Sequence, residues 1–295
     1  MNHKSVILLS ILAGCGGSSY YQDVTSTSET GSSSTTTPTT WWETGATETG
    51  TTTTTTETTP TSTTTTTSTS TTTTSTTTTT PSGVSCHAYD PLDKVGWTRQ
   101  YDIVYLGTSG DEFHFGNGLV GSSYQYDSSM SAGDENWSGP VYNDCNVNDN
   151  GAFVTGWYIS ATTALGSSEL LATLSSPRRY LPGIDEMGSG VTWNYNYDIQ
   201  LSGSLSGSVP TSGTFTEVGF ETIAVAAGTF DVYHLQHTFS QDWTAVDFGA
   251  GPLGDLSGSA DYYYAEGIGL VYELTINTGT GETVMQKELL TYSGL

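Results

Sequence analysis

Glu112 and His114 stand two apart in a run, Glu112 to Phe115, that alternates like a strand, so their side chains share a face. A carboxylate beside an imidazole is the raw material of acid–base chemistry. Two groups alone, however, make neither a metal site nor a catalytic set. His234 and His237 are three apart in an extended stretch, which sends them to opposite faces and denies them a shared metal. The pairs Asp111-Glu112, Asp134-Glu135 and Asp185-Glu186 are adjacent and diverge in extended chain. A glycosidase-type carboxylate pair would have to be collected from separate strands. Gly203-Ser204-Leu205-Ser206-Gly207 has Leu where a nucleophile elbow carries its serine. No phosphate-binding glycine loop, dinucleotide fingerprint or H-E-x-x-H occurs. The sequence therefore assigns no catalytic residue and no cofactor.

Two further sets could bind a ligand. Asp144, Asn146 and Asn148 offer oxygens at alternating positions, as at the start of a calcium loop. The sixth position is Asp149 rather than Gly and the twelfth is Thr155 rather than a bidentate Glu. An Asn/Asp-rich turn explains the same residues, because these side chains cap their own backbone. Trp193, Tyr195 and Tyr197 form a stripe on one face. Such a stripe is either core and cross-strand packing or a platform for a sugar or an apolar ligand. It is the candidate ligand-binding set.

The elements that must position these groups are strands. From about residue 84 to 295 no run has a sustained helical period, and turn signals recur every ten residues or so. Gln100 to Gly107 places Tyr101, Ile103 and Tyr105 on one face. Gly107 to Gly110 turns the chain into the Glu112 strand. Leu270, Tyr272, Leu274 and Ile276 share a face while Glu273 and Thr275 point the other way, the alternation of a half-buried strand. Gly279 and Gly281 mark the turn into a last strand, Thr283 to Tyr292. Glu169 to Leu174 reads as a strand or one helical turn. The expectation is a single all-β, mainly antiparallel domain: a curved sheet, a half-barrel or a sandwich.

The formal net charge is −24, with 30 Asp and Glu against 6 Lys and Arg. Binding to a phosphate backbone needs clustered cations, so no nucleic acid partner is expected and anionic lipid surfaces are poor partners. The acidity itself serves solubility. Of the three cysteines, Cys86 and Cys145 form an even pair once Cys15 is committed elsewhere. In an exported chain they are expected to be a disulfide.

That commitment follows from the amino terminus. Lys4, the apolar Val6 to Leu12 and the small residues before Cys15 have the order of a secretory signal, too short to span a membrane. Leu12-Ala13-Gly14-Cys15 resembles the lipobox of bacterial lipoproteins, which implies a leader at 1–14 and an acylated Cys15 that anchors the chain to a membrane. Gly16 follows the cysteine, not the Asp of enterobacterial inner-membrane retention, so the outer membrane or cell surface is expected. Residues 15–83 are a Thr/Ser-rich stalk that cannot bury enough apolar surface to order itself. A chain of that length has an end-to-end distance of roughly 45 Å. Tyr20-Tyr21 and Trp41-Trp42 interrupt it.

Within 84–295, Tyr89-Asp90-Pro91-Leu92 with Gly96-Trp97 is similar to an opening found in bacterial secreted and lipoprotein domains of unknown function. Gly96 directly precedes the Trp, without the usual spacer. Tyr180-Leu181-Pro182 with Gly190 to Tyr195 is a fainter second occurrence. Glu221 to Asp231 resembles the E-T-V-x-V-P-A-G-T-F-D hairpin of those domains, with Ala226 in place of Pro. Tyr264 to Val271 resembles their Y-A-x-G-V-G-L-V strand entry. The resemblance implies a curved sheet, distantly like the half-barrels of periplasmic lipoprotein carriers, and carries no catalytic residue. The function expected is a lipid-anchored envelope protein displaying a non-enzymatic β domain for a lipid, glycan or envelope-protein ligand. The alternatives are a surface hydrolase using paired carboxylates and a purely structural surface protein.

Overall fold

A computed structural model of the chain describes residues 87–146, 151–163, 166–246 and 254–295. The strands are β1 (Val95–Tyr105), β2 (Thr108–Val120), β3 (Ser123–Ala132), β4 (Glu135–Asn146), β5 (Gly151–Thr163) and β6 (Gly166–Leu181), then β7 (Thr192–Gly203), β8 (Gly207–Val225), β9 (Gly228–Asp242), β10 (Asp255–Ala265), β11 (Gly269–Asn277) and β12 (Thr283–Ser293). Each pairs antiparallel with its neighbour in sequence, and β1 pairs with β12. The all-β, antiparallel expectation is met. The curved sheet goes further than a half-barrel and closes on itself, which leaves no open strand edge. Glu169 to Leu174 is strand, part of β6.

Local chemistry sets the turns. Leu106 (φ 45°) and Gly107 (φ 79°) make the two-residue link from β1 to β2, with both central residues at positive φ as a tight hairpin requires. The Glu221–Asp231 motif is the β8–β9 hairpin. Its turn is Ala226-Ala227, closed by the Val225–Gly228 pair. Gly269 is a point of close approach: a Cβ there would lie 2.4 Å from the Arg99 guanidinium.

The two similar openings fall at equivalent places. Trp97 begins β1 and Trp193 begins β7, six strands away around the ring. Arg99 lies 4.2 Å from the Trp97 ring, and Arg179 lies 5.5 Å from that of Trp193. The entry segment crosses the barrel mouth at this end. His87 Nε2 donates to the Pro182 carbonyl at 2.8 Å, and the Gly267 amide donates to the Ala88 carbonyl at 2.6 Å. Leu92 packs on Trp97, both fully buried.

Alternation decides what is inside. Tyr101, Ile103 and Tyr105 are buried, as their shared face implies. On β11 the alternation is as expected, but the buried row is Val271, Glu273, Thr275 and Asn277, while Tyr272, Leu274 and Ile276 face outward, partly covered. Outward positions of β7 (Thr192, Asn194, Asn196) and β9 (Gln236, Thr238, Ser240) are polar and exposed. That is not the apolar band of a barrel whose wall faces lipid. The leader, Cys15, the stalk with its aromatic pairs, and Cys86 lie outside the described residues, as do residues 147–150 of the candidate calcium loop.

Candidate functional site

Closure brings the last strand beside the first two and builds an ion cluster inside the barrel. Lys287 on β12 is 1% exposed and Glu112 on β2 is 0% exposed. Lys287 Nζ donates to Glu112 Oε2 at 2.7 Å and lies 3.6 Å from Glu273 Oε2 on β11. His114 Nε2 is 2.6 Å from Glu112 Oε1, to which Ser128 Oγ also donates at 3.1 Å. Thr275 Oγ1 donates to Glu273 Oε1 at 3.0 Å. The Tyr101 ring lies 5.4 Å from Lys287 Nζ and meets His114 edge-on.

The electrostatics follow from burial and these partners. Burial pushes the Glu112 carboxyl up, but Lys287 and His114 outweigh it and hold the group at about 2. Burial raises Glu273, with Lys287 only partly offsetting. His114 is held below the ordinary imidazole range by burial, against the pull of Glu112, so the ring is neutral at pH 7. Burial opposes the Lys287 charge, and Glu112 and Glu273 restore it and more. Tyr101 is pushed up to about 12 by burial.

A second layer lies toward the entry mouth. Arg99 donates to Asp90 Oδ1 at 2.9 Å, and Tyr180 OH donates to Asp90 Oδ2 at 2.7 Å. The first opening motif is thus tied to the second. Arg178 hydrogen-bonds Tyr195 and Tyr197. Tyr195 OH and His237 Nε2 share a hydrogen bond of 2.6 Å, and His237 stacks on Phe215 at 4.1 Å. Burial, helped by Arg178, keeps His237 well below the imidazole range. Three of the chain's six Lys and Arg (Arg99, Arg178, Lys287) are therefore spent inside the barrel. They line one cavity of ≈ 70 Å³ with Asp90, His114 and Glu273. That is the size of about two water molecules. It is well below the ≈ 300 Å³ at which small-molecule pockets begin.

The candidates read from sequence separate accordingly. Glu112 and His114 share a face as expected, and the structure adds Lys287 and Glu273, which no local spacing reveals. His234 and His237 do face opposite ways: His234 lies between Glu221 (2.7 Å) and Asp261 (3.0 Å) and stacks on Tyr263. The stripe Trp193, Tyr195, Tyr197 turns inward. Trp193 stacks on Phe215 at 5.1 Å, its Nε1 donates to the Arg179 carbonyl, and Tyr197 is buried. This is the packing alternative for the stripe. Asp144 is exposed near the end of β4, and Cys145 is half-buried beside Leu92 and Trp97. Among the described residues no group of three or more His, Cys, Asp or Glu could hold a metal ion.

The larger concavity is on the outer wall. A groove of ≈ 530 Å³ runs across β1 to β5, lined by Gln100, Asp111, Ser129, Ser131, Asn136, Ser138, Ser160 and Thr162, with Phe113 among them. Phe113 is 42% exposed, an apolar ring in a field of hydroxyls and amides. Strand alternation explains the set, since every one of these side chains is an outward position on its strand. Met130 and Trp137 lie beneath.

No family model matches this chain, and no curated protein matches it. Two solved structures do. One is a protein described as exported, with a YmcC-like fold, from Bacteroides fragilis (13% identity, 68% of this chain and 97% of that one, TM-score 0.40). The other is a protein described as a lipoprotein, from Parabacteroides distasonis (12% identity, 70% of this chain and 99% of that one, TM-score 0.41).

Proposed function

We propose that this chain is a lipid-anchored cell-envelope protein whose barrel binds a glycan in the groove across β1–β5 without catalysing a reaction. The outer groove carries the reading: ≈ 530 Å³ of concavity edged with hydroxyl and amide groups around one exposed aromatic ring. Sugars present hydroxyls at their edges and C–H faces that stack on such rings. Asp111 is the one carboxylate lining the groove, whereas glycoside hydrolysis needs two. The cavity beside the ion cluster, ≈ 70 Å³, is too small for an apolar ligand. The anchor rests on the Leu12–Cys15 motif, with Cys15 the acylated residue and the outer membrane or cell surface the destination.

The test is a glycan panel probed with the purified chain, followed by calorimetry on any hit. Phe113→Ala is expected to weaken binding about tenfold, the loss of one stacking contact, with an unchanged melting temperature. An equal affinity in the variant would remove the groove from the account. A panel without a hit would return the barrel to a structural surface role, which a filled interior favours. In cells, Cys15→Ser should abolish incorporation of labelled palmitate; persistent label would place the acyl group elsewhere.

We also propose that Cys145 is bonded to Cys86, tying the start of the domain to the end of β4. Closing a loop of that length stabilises a fold by about 4 kcal/mol in the chain-entropy model. Mass spectrometry of the non-reduced chain should find the Cys86–Cys145 peptide pair. Alkylation of both thiols in the native protein would refute it.

A further inference from the structure

We infer that the end of the barrel at which the chain enters is the face turned to the bilayer, seated there by two apolar contacts on opposite sides of its rim. This rests on the lipid-anchor reading of Cys15. The first contact is Val95 at the start of β1 with Leu119 and Val120 at the end of β2. Val95 lies over Gly118, the residue that precedes Leu119 and Val120. The second is Val218 and Phe220 on β8 with Ile184 in the loop before β7. Phe220 packs near Tyr89 of the entry segment, which fixes it to the same end. All six are between 45% and 72% exposed.

Three observations select a flat lipid surface. β2 and β8 are six strands apart around the ring, so the contacts stand across the mouth from one another. A plane touches both at once, where a single-sided partner would need one continuous patch. Among the described residues the wall between carries Phe113 and Phe115 as exposed large apolar side chains and the opposite end Leu106 and Leu171, each less exposed than any of the six. Finally, the tether leads into this end, through 87–94 to β1. A tether gives the head an effective concentration at the membrane on the order of millimolar, so contacts too weak to act alone suffice. The net charge of −24 disfavours anionic headgroups, so the surface is a zwitterionic one.

The experiment uses the full acylated chain in phosphatidylcholine vesicles that carry a doxyl quencher near the headgroup end of the acyl chains. Leu119→Trp and Phe220→Trp should each show at least a twofold quenching beyond that of the parent chain, and Leu171→Trp none. Hydrogen exchange on the unsubstituted chain reads the same contact. Amides of 118–121 and 218–220 should slow when vesicles are added, and those of 170–172 should not. Equal quenching at Leu171, or no added quenching or protection at the rim, would overturn the inference. So would an analytical-centrifugation dimer that Leu119→Ser dissolves, because the rim would then serve a second copy. Flotation separates the two readings: a chain that fails to float with vesicles removes the anchor, whereas one that floats with an unquenched rim removes only the orientation.

Discussion

Lys287→Met destabilises the barrel by about 3–5 kcal/mol, because it leaves two buried carboxylates without their shared cation. For a domain of this size that lowers the melting temperature by on the order of 10 °C. The stronger signature is in pH. Without Lys287, the folded-state affinities of Glu112 and Glu273 for protons rise above those of the unfolded chain. Stability that depends on their protonation is then present at low pH and lost as pH rises through the raised values. The variant should therefore lose less stability than the parent between pH 7 and pH 5, the carboxylate gain offsetting part of the loss from the buried histidines. Urea unfolding of parent and variant at the two pH values checks this, and a variant that loses as much stability as the parent on acidification would show that Lys287 is not the partner holding these carboxylates charged. The double change Glu112→Gln with Lys287→Met should recover part of the loss, since it removes the orphaned charge as well.

The unsubstituted barrel lacks that offset. His87, His114 and His237 are all held below 6.5 by burial. Each favours folding fully above its unfolded value and loses that contribution as pH falls through and below 6.5. Glu112 sits at about 2 against an ordinary 4.5. Its contribution, about 3 kcal/mol, is present above 4.5 and disappears as pH falls toward 2. Glu273, raised by burial, returns part of this on acidification. The sum is a barrel that weakens in two stages, first below pH 6.5 and then below pH 4.5. His237→Gln should shrink the first stage, leaving the shares of His87 and His114, and should not change the second. A stability profile level from pH 7 to pH 3 would contradict the whole buried-ion account.

What the sequence made legible was local. The period-2 patterns of Tyr101–Tyr105, Glu112–His114 and Tyr272–Ile276 gave strands and correct shared faces, because alternation is a property of a few consecutive residues. Glycine at 279 and 281 marked a real turn for the same reason. Which face is inside was not legible on β11. Burying Glu273 depends on Lys287 across the pairing to β12, and burying Glu112 depends on the closure of β1 onto β12. Nothing between Tyr272 and Ile276 carries that information. The inward stripe at Trp193, Tyr195 and Tyr197 has the same lesson: aromatics at alternate positions look alike whether they line a platform or fill a core. The groove escaped notice because its side chains come from β1 to β5 and are individually ordinary serines, threonines and amides.

Closure through β1 and β12 also orders events in time. A polypeptide made amino terminus first presents Glu112 long before Lys287, and its seam is formed by the last strand to arrive. Until that strand is through, the emerged segment has a ragged margin and a negative centre that belongs in solvent. Completion of the head therefore waits for the final strand, and loss of even the final dozen residues leaves an open ribbon with a charge it cannot bury.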